Sequence, residues 1–288
     1  MPLDRINSGL EIINTIAALK MQLEPIKSAQ QKIAIVPTMG ALHKGHVSLI
    51  AEAKQQADLV VCSIFVNPTQ FTDPKDLEKY PRPLAHDIKM LEEAGCDVVF
   101  MPSVKEMYPG PENWHIDLGN VEFLLEGEFR KGHYQGVTQI VKKLFDAVNP
   151  DIAFFGQKDF QQVLMIKKMV EYFNLPVKIV SCPIIREPDG LAMSSRNIHL
   201  SPQDRQNALV ISRSLQYVKS HFEEQSIACL LAHAISMLQA VPGVELDYFM
   251  IVNGDTLLPE SNKETKNLVA LVAAKVGETR LIDNMLLH

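Results

Sequence analysis

Apolar residues along the chain fall into short near-continuous runs, separated by longer stretches in which they recur every three or four positions. The runs are Lys32 to Val36 (KIAIV), Asp58 to Val66 (DLVVCSIFV), Asp97 to Met101 (DVVFM), Asp151 to Phe155 (DIAFF) and Pro176 to Cys182 (PVKIVSC). Runs without polar alternation suit strands buried on both faces, as in a parallel sheet. Between them, Gly45 to Ala57, Leu84 to Ala94, Gly136 to Val148 and Asp159 to Asn174 carry helical spacing. Near the start, Ser8 with Glu11 three positions on reads as a capping box, and Leu10, Ile13, Ala17 and Met21 continue it into a first helix.

This rhythm predicts an α/β fold, a Rossmann-like doubly wound parallel sheet whose ligands sit beyond the carboxyl ends of the strands. The rhythm changes after Arg186 to Asn197 (REPDGLAMSSRN). Ser201 then caps a helix with Pro202 in its first turn, and Ala208, Ile211, Leu215, Val218 and Phe222 share one face. A second helix, Ile227 to Gln239, leads to β-like runs at Val244 to Val252, Asn267 to Val276 and Thr279 to Asp283. Two helices followed by a small antiparallel sheet predict a second, smaller α+β C-terminal domain, dividing the chain into 1–184 and 185–288.

Composition narrows the function classes. With 288 residues, 47% hydrophobic and 22% charged, the chain has the material for a sizeable core rather than a disordered ensemble. A net charge of -6 argues against a nucleic-acid partner and leaves phosphate binding to a local pocket. Asp4, Glu11 and Lys20 interrupt the N-terminal apolar residues, so no signal peptide is expected, and no run suits a membrane helix. Cys62, Cys96, Cys182 and Cys229 are too scattered for a metal cluster and read as free thiols in a reducing cytoplasm.

The candidate chemistry starts at Pro37 to His46 (PTMGALHKGH), which joins the first long strand to its helix. Gly40 permits a positive φ or a close backbone approach, and the N–H groups of a helix start favour an anion. His43 and His46, at i and i+3, lie on nearly one face and can aim two imidazole N–H donors at one set of phosphate oxygens. Two other readings stay open here, a His-x-x-His metal pair and a pair that only caps or packs the helix start.

PTMGALHKGH resembles the nucleotide-binding HxGH loop of the nucleotidyltransferase superfamily, and in this fuller form that of the pantoate:β-alanine ligase (pantothenate synthetase) family. Phe65 to Phe71 (FVNPTQF), Asp76 to Arg82 (DLEKYPR), Gly127 to Val137 (GEFRKGHYQGV), Phe155 to Gln162 (FGQKDFQQ) and Asp189 to Asn197 (DGLAMSSRN) resemble that family's segments, in order and at similar spacing. The residues also make sense unaided. Lys158 suits charge neutralisation at phosphorus, Ser194, Ser195 and Arg196 offer hydroxyls and a guanidinium to a triphosphate, and Gln70 and Gln162 are amides able to read a hydroxy acid. Each has a plainer reading as well, as a surface lysine beside a capping Asp159, a polar turn before a helix, or exposed polar side chains.

The resemblance implies a two-step ligation. Pantoate is activated by ATP as a pantoyl adenylate, and β-alanine then displaces AMP, with ATP as a substrate carrying Mg2+. It implies a cytoplasmic homodimer with no nucleic-acid or membrane partner, and a C-terminal domain that acts as a lid. The implied ATP site is Met39, Gly40, Ala41, Leu42, His43, Lys44, Gly45, His46, Gly156, Gln157, Lys158, Asp159, Ile185, Met193, Ser194, Ser195 and Arg196. The implied catalytic set is His46, His43, Lys158, Ser194, Ser195 and Arg196, with His46 in the proton-donor role. Gln70 is assigned to pantoate and β-alanine and Gln162 to pantoate, while Asn67, Tyr80, Arg130 and His133 are either ligand contacts or loop braces. Two positions depart from the family pattern: Lys131 stands where a proline is expected and Gln157 where a glutamate is expected. These changes bear on affinity more than on chemistry. A nucleotidyltransferase that makes no amide would share the HxGH loop but leave Gln70, Gln162 and FVNPTQF without a purpose, and a non-catalytic nucleotide-binding regulator would bind ATP without turnover.

Overall fold

The computed structural model describes residues 9–288. In chain order the elements are β1 (Glu11–Ile13), α1 (Ile16–Ser28), β2 (Ile33–Thr38), α2 (Lys44–Gln56), β3 (Leu59–Ile64), α3 (Pro74–Lys79), α4 (Leu84–Glu93), β4 (Val98–Phe100), α5 (Val104–Met107) and α6 (Glu126–Phe129). They continue with α7 (His133–Val148), β5 (Ile152–Gly156), α8 (Phe160–Tyr172), β6 (Lys178–Cys182), α9 (Pro202–Ser220), α10 (Ile227–Gln239), β7 (Val244–Asn253), β8 (Leu268–Val276) and β9 (Thr279–Leu286). They form two compact units that do not follow a single cut in the sequence. One holds the chain up to Leu118 with Arg130–Gly156 and Met165–Cys182, and the other holds Gly119–Phe129, Gln157–Leu164 and Pro183–His288.

The first unit is built on a parallel sheet of order β1-β4-β3-β2-β5-β6. Its inner strands are largely apolar because both faces are covered: Ala34, Val36, Val60, Cys62, Val99 and Phe154 join Leu49, Ile50 and Leu91 in one buried cluster, and the alternate residues Ile35, Val61 and Phe100 are fully buried as well. From β2 the chain moves outward through β3 and β4, then returns to the other side of β2 as β5. The switch point lies between β2 and β5, where such sheets hold ligands beyond the strand ends.

The expected first helix is corrected. Glu11, Ile12 and Ile13 form an edge strand paired in parallel with Val98–Phe100, and the helix starts only at Ile16, where the Thr15 hydroxyl caps the Ala18 N–H at 3.2 Å. Met21, counted in the apolar face, is exposed, and Ser8, the expected cap, lies outside the described residues. The β-branched pair Ile12-Ile13 favours a strand once β4 offers a partner, and sheet pairing overrides the local helical signal. A smaller difference is α7, which begins at His133 rather than Gly136, after Gly132 turns the chain at φ 79°.

The second unit contains the antiparallel sheet β7-β8-β9 with α9 and α10. Ala208, Ile211, Leu215, Val218 and Phe222, the predicted face of α9, are all buried in its core with Leu230, Leu238, Phe249 and Val272. The segment Gly119–Phe129 is strapped into this unit by polar bonds. Gln161 donates from Nε2 to the carbonyls of Val121 and Leu124, each at 2.8 Å, and accepts the Glu126 N–H at 3.1 Å. The Glu126 carboxylate takes both terminal nitrogens of Arg280 at 2.7 Å and the Tyr248 hydroxyl at 2.9 Å. Burial alone would lower the Arg280 pKa, but the hydrogen bonds and charges of Glu126 and then Asp247 outweigh it and raise it, so the guanidinium stays charged.

All four cysteines are unpaired, as expected. Burial pushes the Cys62 thiol well above its ordinary pKa, Cys96 to about 12 and Cys182 to about 11, while Cys229 is exposed. No described helix is long and apolar enough to cross a membrane.

Candidate active site

Residues after β2 turn sharply before α2 begins. Gly40 takes φ 77° and Ala41 φ 52°, and a Cβ on Gly40 would stand 3.0 Å from Asp87 Oδ2 and 3.1 Å from Ile64 Cγ2. Only glycine suits that conformation in that space. The turn is held from both sides. The Thr38 hydroxyl donates to the Ser63 carbonyl at 2.6 Å and accepts the Gly40 N–H at 3.2 Å. Asp87, in the first turn of α4 and 1% exposed, accepts the Ala41 N–H on Oδ2 at 2.9 Å and the Leu42 N–H on Oδ1 at 2.7 Å. A helix start suits this carboxylate, and both its oxygens are committed to the loop.

His43 is the N-cap of α2, and the histidines cap the helix jointly. His43 Nδ1 accepts the Gly45 N–H at 3.1 Å, while His46 Nδ1 accepts the His43 N–H at 3.3 Å. Backbone N–H groups can only donate, so Nδ1 is the acceptor in each ring and a neutral imidazole carries its proton on Nε2. The rings lie side by side, centroids 4.2 Å apart. The capping and phosphate readings are therefore compatible, since one ring nitrogen holds the helix start and the other is a donor. The metal reading fits less well, because both Nδ1 lone pairs face backbone N–H groups, and a neutral ring then has its proton on Nε2 and no lone pair left for an ion.

Gln70 is brought to this loop: its Nε2 donates to Met39 Sδ at 3.0 Å, and its Oε1 accepts from Asn67 Nδ2 at 3.2 Å. Fully buried Asn67 also donates to the Gly136 carbonyl and accepts from the hydroxyls of Thr69 and Tyr108. His133 Nδ1 lies 2.7 Å from the Gln70 carbonyl, which can only accept, so Nδ1 donates and Nε2 accepts from Arg130 Nη1 at 3.1 Å. Tyr80 packs edge-on against Phe71. In this geometry Asn67, Tyr80, Arg130 and His133 brace the Gln70 loop.

The second unit arranges the remaining candidates. A 3-10 turn over Gln157–Asp159 follows β5, with Lys158 half-buried and Gln162 half-buried on α8. Its neighbour Gln161 is the buried strap described above. Ile185 and Met193 are paired through the Met193 N–H at 3.0 Å, and Met193 is buried. Ser194 then caps the turn Ser195–His199 by accepting the Arg196 N–H at 3.3 Å, and Asn197 Nδ2 ties it to the Ala192 carbonyl at 3.0 Å. Arg186 anchors this hairpin by a two-pronged ion pair with Asp283, at 2.6 and 3.0 Å. Of the two departures, Lys131 sits in an exposed turn, and Gln157 donates to Asn284 Oδ1 at 3.0 Å.

Sequence reasoning missed Asp87, Asp283 and Asn284. Asp87 falls within the helix expected over Leu84 to Ala94, and nothing beside it in the sequence marks it as a partner of the loop after β2. The adjacent pair Asp283-Asn284 interrupts an otherwise β-like run, a signal that a strand carries buried polar work.

The chain is similar throughout to proteins of one kind. The family model described as pantoate-beta-alanine ligase matches residues 11–286. A pantothenate synthetase of Porphyromonas gingivalis is 47% identical over 277 residues, covering 96% of this chain and 99% of that protein. One from Acetivibrio thermocellus is 46% identical over 281 residues, covering 97% and 100%. Among solved structures, a pantothenate synthetase from Thermus thermophilus superposes with a TM-score of 0.91 at 41% identity, covering 96% of this chain and 99% of that one. A pantoate-beta-alanine ligase from Francisella tularensis, complexed with beta-gamma ATP and beta-alanine, does so with a TM-score of 0.79 at 36% identity, covering 96% and 97%.

Proposed function

Because the chain belongs to the pantoate-β-alanine ligase family, and so ligates pantoate and β-alanine with ATP, we propose that it works through a pantoyl adenylate formed by the residues described above. A pantoate carboxylate oxygen attacks the α-phosphorus as the bond to the β-phosphate oxygen breaks, giving the mixed anhydride and pyrophosphate. The β-alanine nitrogen then attacks the acyl carbon, AMP leaves with the bridging oxygen, and the amine loses its proton. The observation that carries this reading is the joint histidine cap. It supports the reading because each ring, held at Nδ1 on the loop after β2, carries its proton on Nε2 when neutral, a donor already oriented before charge develops.

In this reading His43 holds phosphate and His46 donates to the oxygens whose charge grows during adenylation. Lys158, Ser194, Ser195 and Arg196 neutralise the triphosphate. The rest of the proposed ATP site, from Met39 to Gly45, with Gly156, Gln157, Asp159, Ile185 and Met193, supplies backbone and packing contacts. Gln70 reads pantoate and then β-alanine, and Gln162 reads pantoate. Magnesium would be brought by the triphosphate rather than by a protein site, and would supply positive charge to the leaving pyrophosphate beside Lys158 and Arg196. A homodimer is the expected working form, and the cytoplasm suits the unpaired thiols.

Incubation with pantoate, β-alanine and MgATP, each omitted in turn, tests the reading. AMP and pantothenate should form only with all three, and pantoate alone should support exchange of pyrophosphate into ATP. Exchange that ignores pantoate, or a dinucleotide-like product in place of the amide, would sink it.

Gly136 offers a test of the Gln70 loop. A Cβ there would fall 2.3 Å from the Thr69 carbonyl oxygen and 2.8 Å from Gln70 Cα, both rigid backbone. Gly136→Ala gains helix propensity but is expected to lose about 1–3 kcal/mol of stability through overpacking. Because the strain falls on Gln70, KM for pantoate should rise more than KM for ATP in steady-state kinetics; equal changes would contradict this account.

A further inference from the structure

Strand β9 sets two neighbouring side chains, Asp283 and Asn284, against two different segments of the second unit. Asp283 holds Arg186 of the hairpin that leads to Ser194, as described above. Asn284, 1% exposed, spends its whole amide on the turn after β5. Its Nδ2 donates to the Gln157 carbonyl at 3.0 Å and the Lys158 carbonyl at 2.9 Å, and its Oδ1 accepts from Gln157 Nε2 at 3.0 Å. Asparagine is a poor strand former, and a buried amide is costly unless satisfied, so packing alone does not account for this residue.

The two carbonyls bound by Nδ2 belong to the peptide planes on either side of Lys158 Cα. Peptide units are rigid, so pinning both planes fixes φ and ψ of Lys158 and therefore the direction in which its side chain leaves the backbone. One amide thus aims one ammonium. We propose that Asn284 is a positioning residue for adenylation that acts through Lys158. This rests on the reading that Lys158 neutralises charge in the adenylation step.

Asn284→Asp keeps the shape and removes both donors, turning an acceptor oxygen toward two carbonyls. The test compares pantoate-dependent pyrophosphate exchange in the full-length protein, Asn284→Asp, Lys158→Ala and the double variant. Asn284→Asp should lower the exchange kcat roughly 10- to 100-fold, as a misplaced reacting group does, with KM for pantoate changed less than about twofold. In the Lys158→Ala background the same substitution should cost nothing further, because its route is already gone. A normal rate in Asn284→Asp, or losses that multiply in the double variant, overturns the proposal. Unimpaired exchange in Lys158→Ala instead overturns the role given to the lysine. If circular dichroism shows Asn284→Asp unfolded, Gln157→Ala carries the test. It removes only the amide that holds Asn284 Oδ1, and a several-fold fall in kcat that vanishes in the Lys158→Ala background is expected. An unchanged kcat in Gln157→Ala overturns the proposal.

Discussion

His46→Ala is expected to lower pantoate-dependent pyrophosphate exchange by about 10²–10³-fold, the loss that follows removal of one preorganised donor from a site of developing charge. The fold should survive. The substitution also removes half of a shared helix cap, which costs about 1 kcal/mol, so the unfolding midpoint should move only slightly. His43→Ala is the useful contrast. His43 holds the Gly45 N–H and is assigned to phosphate, so its loss should appear chiefly in KM for ATP. Unchanged exchange in His46→Ala would reject its assigned role, whatever the effect on ATP affinity.

Asp87→Ala should be the most damaging substitution outside the residues assigned to chemistry. It strips the acceptor from two buried N–H groups, those of Ala41 and Leu42, at about 1–3 kcal/mol each. The loop these bonds hold begins at Gly40 in a left-handed conformation, so releasing it lets the two histidines drift. A misplacement of this kind costs roughly 100-fold in rate. Denaturant unfolding and the exchange assay should therefore both register the loss. Asp87→Asn retains one acceptor oxygen and should fall between Asp87→Ala and the unaltered protein. Full stability in Asp87→Ala would show that water or a neighbouring side chain can replace the carboxylate.

What the sequence made visible depended on how local the cause was. The inner strands were legible because burial on both faces writes a near-continuous apolar run, and α9 because its helical face is buried as a unit. β1 was not, since three residues at a sheet edge carry no run of their own and their partner Val98–Phe100 is remote in sequence. The histidine loop was legible from its residue types and its place after a strand. Asp87 and Asn284 were hidden because each serves a backbone that a linear reading does not bring near it. The β-like run expected to end at Asp283 continues to Leu286, and Asp283 with Asn284 holds the two segments assigned to ATP within its unit.

The histidine cap also explains a choice of side chain. Lysine and arginine are strong phosphate binders, but neither can accept a hydrogen bond. At His43 or His46 either would add charge to the site assigned to the triphosphate and leave a backbone N–H at the helix start without its acceptor. An imidazole joins an acceptor to a donor across one rigid ring. The helix origin and the proposed phosphate donors are in this way a single part, and a cationic replacement meant to tighten ATP binding would loosen the loop to which that binding is assigned.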